Sequence, residues 1–107
     1  MMAGGKGYKM TKTSFYSVMF KDNKKQAILH SGYSDGTYYY YRADSATWYA
    51  IHPLLGLSVA SANTRKEASV QAHSEKIREA LQNIYANTAH YEKLGADFDK
   101  LRAEAER

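Results

Sequence analysis

The sequence predicts an α+β fold: an N-terminal antiparallel sheet of about five strands, over residues 11–62, followed by a long C-terminal helix or two helices over residues 64–107. Three observations carry this. Up to residue 62, short β-branched and aromatic segments alternate with turn residues. From Thr64 onward, apolar residues recur at spacings of three, four or seven. The change of pattern falls at Thr64-Arg65-Lys66-Glu67, where Thr64 and Glu67 have the N-cap and N3 spacing of a capping box. At 107 residues the chain makes one domain, 11–107, large enough for a modest core.

Residues 1–10, rich in Gly and Lys, read as a flexible tail. Thr13–Phe20 follows as a strand, setting Tyr16, Val18 and Phe20 against Phe15, Ser17 and Met19. Lys21–Lys25, with Asp22-Asn23 inside it, is a charged turn, and Gln26–Ser31 a second short strand. Ser34-Asp35-Gly36 is a hairpin signal, because Asp and Gly tolerate the positive φ that a tight turn requires. Thr37–Arg42 is a strand made mostly of tyrosines. The two-residue period of a strand points Tyr38 and Tyr40 to one face and Tyr39 and Tyr41 to the other. After the turn at Asp44-Ser45 come strands at Thr47–Ile51 and Leu57–Ser61, separated by a Pro53–Gly56 turn.

The helical part presents a single stripe: Val70, Ile77, Leu81, Ile84, Thr88, Tyr91, Leu94, Phe98 and Leu101. Asn87-Thr88 and Gly95 are its only evident breaks. One uninterrupted helix of about 40 residues would run about 60 Å at 1.5 Å per residue, too long for so small a sheet to cover. Such a helix calls for a partner helix, most simply from a second copy. Two helices joined near residue 88 would instead pack on each other and on the sheet. Either way the stripe from Val70 to Leu101 is expected to give a self-associating surface, and hence a homo-oligomer.

Composition excludes several chemistries. There are no cysteines, so disulfides, thiolate catalysis and cysteine-based metal sites are ruled out. No apolar run approaches the roughly 18 residues of a membrane span, and the first residues lack the apolar segment of a secretory signal, so a cytoplasmic location is expected. His30, His52, His73 and His90 show no metal-ligand spacing with one another or with carboxylates, so no metal is expected. The sequence has no nucleophile elbow, Walker A loop or dinucleotide fingerprint. It is therefore read as non-enzymatic, with no catalytic residue and no cofactor.

Charge and aromatic content point to binding. Residues 1–62 carry six Lys and one Arg against three Asp, a net of +4, whereas residues 63–107 carry eight cations and eight anions. The excess on the sheet half favours an acidic partner. Ten tyrosines in so short a chain suit an interface. Tyr39, Tyr41 and Arg42, with the leucine pair Leu54 and Leu55 at the Pro–Gly turn, are candidates for contact with a protein partner; tyrosines near lysines also fit stacking on single-stranded nucleic acid. The sharper candidate is the start of the helix. Arg65 and Lys66 place two cations where the helix dipole is already positive, an arrangement that suits an anion. With Thr64, Asn63, Tyr49 on the preceding strand, and His52, they form a candidate phosphate-ligand site.

The segment Trp48 to Ala68, with Trp-Tyr-Ala-Ile, Pro-x-x-Gly-Leu and then Thr-Arg-Lys-Glu-Ala, resembles small accessory proteins of phages and prophages. The β-rich half followed by two helical segments resembles the anti-Thoeris nucleotide sponges. That resemblance implies a non-enzymatic anti-defence protein that sequesters a cyclic signalling nucleotide in pockets between self-associated subunits. The same segment also resembles the HicB antitoxins, which implies a nucleic-acid-binding module. An inhibitor of a host defence protein, such as a CRISPR effector or nuclease, is the remaining alternative.

Overall fold

The computed structural model describes residues 9–107. Most of the expected tail, residues 1–8, lies outside the described residues; Met10 packs against the core. Five strands, β1 (Thr11–Lys21), β2 (Lys24–Ser34), β3 (Tyr39–Arg42), β4 (Trp48–Ile51) and β5 (Ser58–Ala62), pair in sequence order, each antiparallel to the next. The first hairpin is longer than its alternation suggested, because Asp22 and Asn23 both take positive φ, 54° and 65°, and make a two-residue turn. That turn fixes the ladder from Lys21↔Lys24 out to Thr11↔Ser34.

Cross-strand partners point to the same face. Tyr38, Tyr40 and Ala50 therefore lie on the face that carries the helices, packed with Ala68, Ala72 and Leu81. Phe15, Tyr41 and Ile51 form a second cluster on the opposite face, flanked by Tyr39 and Tyr49. The predicted division of the tyrosine strand holds, and aromatic residues fill both faces. The Val18 N–H donates to the Gly56 carbonyl at 2.8 Å, which joins edge strand β1 to the turn between β4 and β5. The sheet is thus strongly coiled rather than flat.

Three helices follow, not one or two: α1 (Arg65–Ala72), α2 (Glu75–Ala86) and α3 (Thr88–Ala105). The break at Asn87 is the one the sequence suggests, and the Asn87 side chain accepts from the His90 N–H at 3.1 Å. The break at His73–Ser74 is additional: Ser74 caps α2 by accepting from the Ile77 N–H at 3.4 Å, and its own N–H bonds to the Gln71 carbonyl. These two breaks fold the apolar stripe back onto the chain. Leu81 and Phe98 are buried, Ile77 and Ile84 pack against the core cluster around Leu81 and Ala72, and Val70 is left 58 % exposed. The inner members of the expected self-associating stripe are thereby used within one molecule. No described helix is long and apolar enough to cross a membrane.

Two glycines allow close approaches that no other residue permits. A Cβ on Gly32 would lie 2.0 Å from the Tyr40 carbonyl oxygen, where β2 and β3 meet. Gly56 has φ +70°, and a Cβ there would lie 2.4 Å from the Phe98 ring of α3. The Gly32 clash is with backbone and cannot be relieved by a rotamer change. Gly32→Ala is expected to destabilise the fold by about 3 kcal/mol or more, lowering Tm by more than about 12 °C in a thermal melt followed by circular dichroism.

Candidate functional site

The most elaborate polar arrangement lies beneath the helices. Oδ1 of Asp35, in the β2–β3 turn, accepts from the Thr37 and Tyr38 N–H groups, both at 2.8 Å. Oδ2 accepts from the Tyr40 hydroxyl at 2.6 Å and from His73 Nε2 at 2.8 Å. The Asp35 side chain is fully buried. Burial by itself would raise its pKa, but the bonds from Tyr38, Tyr40, His73 and Thr37 outweigh it and hold the carboxyl below its ordinary range. Burial, then the neighbouring Asp35, pushes the Tyr40 hydroxyl far up, so it remains a donor. This network ties turn, strand and the end of α1 together.

His52 has a comparable role at the far end of β4. It is buried, and its Nδ1 accepts from the Leu54 and Leu55 N–H groups at 3.1 and 3.3 Å. The ring proton is therefore on Nε2, which donates to the Tyr85 hydroxyl at 2.7 Å. Burial pushes its pKa down. His52 fixes the Pro–Gly turn and attaches it to α2, so both of its ring nitrogens are engaged within the chain. On the opposite face, the Ser17 hydroxyl lies 2.7 Å from His30 Nε2, and Tyr41 stacks on the His30 ring with centroids 3.8 Å apart. Ser17 is 1 % exposed and His30 half-buried. Among the described residues no group of three His, Asp or Glu is placed to hold a metal ion.

The start of α1 is arranged differently from the sequence expectation. Thr64 Oγ1 accepts from the Glu67 N–H at 3.1 Å and donates to the Glu67 carboxylate at 3.0 Å. Glu67 itself therefore supplies negative charge to the first turn. Arg65 turns back onto the sheet: its guanidinium lies 4.1 Å from the centre of the Tyr33 ring and 5.8 Å from that of Trp48. Tyr33 and Trp48 are themselves in contact, with centroids 6.2 Å apart. Stacking uses the planar face of the guanidinium and leaves its N–H edges for acceptors.

Next to Tyr33 is an open trough of about 460 Å³ over the outer end of the β1–β2 ladder, lined by Lys12, Thr13, Ser14, Ser31, Gly32 and Tyr33. The register sets Lys12 opposite Tyr33 and Ser14 opposite Ser31, so these four side chains share the face toward which Arg65 turns. Two cations from separate elements thus flank one aromatic ring, with two hydroxyls beside it. This arrangement can bind an oxyanion with an attached ring or sugar.

Of the residues the sequence singled out, Asn63, Thr64, Arg65 and Lys66 stay together at the start of α1, the last of them exposed. Tyr49 does not join them: it points to the opposite face and stacks on Tyr41, with centroids 5.5 Å apart. Tyr41 and Leu55 are buried, whereas Arg42 and Leu54 are exposed and Tyr39 is half-buried against Phe15. Sequence pattern does not bring Lys12, Ser14, Ser31 and Tyr33 together, because a second strand ending at Ser31 leaves Tyr33 outside the ladder. Counting outward from Asp22-Asn23 as a two-residue turn pairs Lys12 with Tyr33 directly.

The fold and this trough define a small α+β domain with helices on one face of a five-stranded meander and an exposed basic, aromatic and hydroxyl-bearing site at its N-terminal hairpin. Comparison with protein families, with curated proteins and with solved structures finds no match for the chain.

The buried network gives a defined pH response. Asp35 has a depressed folded pKa, so its contribution is present above its unfolded value of 3.8 and is lost as pH falls through the lower folded value. Asp35→Asn is expected to cost about 3 kcal/mol at pH 7 and to flatten the loss of stability below about pH 4, measured by urea denaturation across pH. His52 and His30 are also depressed, both by burial. Their contribution is complete above the unfolded value of 6.5 and declines as pH drops below it. The urea midpoint is accordingly expected to fall between about pH 7.5 and 5.5, and His52→Ala to reduce that slope while lowering stability throughout.

Proposed function

We propose that the protein is a non-enzymatic binding protein that captures a phosphate-bearing nucleotide in the trough over the β1–β2 ladder. In line with the resemblance of its β-rich half and following helical part to the nucleotide sponges, and of its Trp48–Ala68 segment to phage accessory proteins, the ligand is a cyclic signalling nucleotide and the role is phage-type anti-defence sequestration. The supporting observation is the flanking of Tyr33 by Lys12 on the neighbouring strand and Arg65 from α1.

A nucleotide presents three chemistries. Its phosphate suits Lys12 and the free edges of Arg65, its sugar suits the Ser14 and Ser31 hydroxyls, and its base suits an aromatic wall such as Tyr33. The trough volume, about 460 Å³, falls in the usual range for small-molecule sites. A catalytic role has less support, since Ser17, the hydroxyl beside a histidine, faces away from the trough and is buried. This reading moves the anion from the first turn of α1, where Glu67 already takes the cap, to the adjoining face of the sheet.

Isothermal titration calorimetry against a panel of cyclic mono- and dinucleotides tests it. One of them is expected to bind with an affinity that falls as salt rises. Lys12→Glu is expected to weaken that binding by about tenfold or more, a loss of about 1.4 kcal/mol, with the melting temperature unchanged because Lys12 is exposed. Flat titrations across the panel would overturn the proposal.

A further inference from the structure

Two surface features on separate elements play no part in nucleotide capture. The first is the tip of the β1–β2 hairpin. There Phe20 is 73 % exposed and Met19 38 % exposed, next to Lys21 and, across the turn, Lys24 and Lys25. An aromatic side chain this far out of the core keeps most of its apolar surface in water, and the strand pairing does not need it, since its cross-strand partner is Lys25. The second is a groove of about 490 Å³ between the β4–β5 turn and α3. Leu54, Leu55, Tyr91, Gly95 and Ala96 give it apolar walls, and Glu92 and Asp99 give it two carboxylates; among the described residues no cation lines it. Leu54 is 60 % exposed. A Cβ on Gly95 would meet only the Leu54 carbonyl oxygen, at 3.9 Å, so the space above this helix position is open.

The two features are complementary. One is an apolar projection with lysines at its base, the other an apolar recess with carboxylates at its rim, and both belong to the same chain. We propose that the hairpin tip of one copy inserts into the α3 groove of a second copy, with Phe20 as the anchor against Leu54 and Tyr91, and Lys21 and its neighbours facing Glu92 and Asp99. Phe20 does not reach its own groove, since it is exposed within the molecule. Asp99 forms an exposed ion pair with Arg102 on its own helix, a contact it gives up at little cost. The contact joins two different surfaces, so it is heterologous, and with a single aromatic anchor it belongs with small, weak interfaces. It replaces the Val70–Leu101 stripe as the route to self-association.

Sedimentation velocity of the full chain over a concentration range from about 10 μM to 1 mM tests this. The sedimentation coefficient is expected to rise with concentration for the wild type. Phe20→Glu and Leu54→Glu should each remain monomeric, with unchanged circular dichroism and Tm because both positions are exposed. An equal mixture of the two variants should recover a dimer, because each mixed pair keeps one intact tip and one intact groove. A wild type that stays monomeric at the highest concentration overturns the proposal. So does association that survives Phe20→Glu, or a mixture of the variants that stays monomeric. Nucleotide titration of the same variants is independent of these outcomes, since neither residue lines the trough.

Discussion

The buried Asp35 carboxylate is the constraint on which the arrangement of sheet and helices depends. A charge removed from water has to be matched by donors, and here four converge on it: two backbone N–H groups of its own turn, the Tyr40 hydroxyl and His73. Each donor fixes a different part of the molecule. The turn N–H groups fix the β2–β3 connection, Tyr40 fixes which face of β3 meets the helices, and His73 fixes the position where α1 ends. Because α2 begins one residue after the Ser74 cap, the placement of α1 passes on to α2 and through Asn87 to α3.

The tyrosine-rich strand then serves two cores at once. Tyr38 and Tyr40 go beneath the helices, while Tyr41 goes to the other face, where rings cover one another: Phe15 on Tyr39 at 4.7 Å, Tyr41 on His30 at 3.8 Å and on Tyr49 at 5.5 Å. Rings stacked on each other have less face to offer a nucleic-acid base, which weakens the single-strand reading of these tyrosines. The Tyr33–Trp48 pair lies instead under the Arg65 guanidinium, and the open trough adjoins it.

Much of the fold is legible in the order of residues. Alternation gives the strands and their faces, Asp35-Gly36 gives a hairpin, and Thr64 with Glu67 marks where sheet yields to helix. The candidate site is less legible, and the reason is geometric. Lys12 and Tyr33 are far apart in sequence and become neighbours only through the register of an eleven-residue hairpin. Asn63 to Lys66 are contiguous, so local pattern finds them, but pattern does not tell which way Arg65 turns. Tyr49 and Trp48 differ by one position, and that single step in a strand decides which of them meets Arg65.

By itself, then, the sequence determined the α+β class, the division of aromatic residues between two sheet faces, the cap at Thr64 and a basic N-terminal half; of the two breaks it offered, the structure takes Asn87 and runs α3 through Gly95. These follow from local periodicity and turn chemistry, which act over a few residues. Tertiary structure decided the fate of the individual groups. His52 became a turn anchor, Asp35 and His73 met across the core, Leu81 and Phe98 went inside, and Phe20 and Leu54 were left outside. Burial depends on which elements pack together, and three helices folded over a coiled sheet bring together residues that no short-range pattern connects.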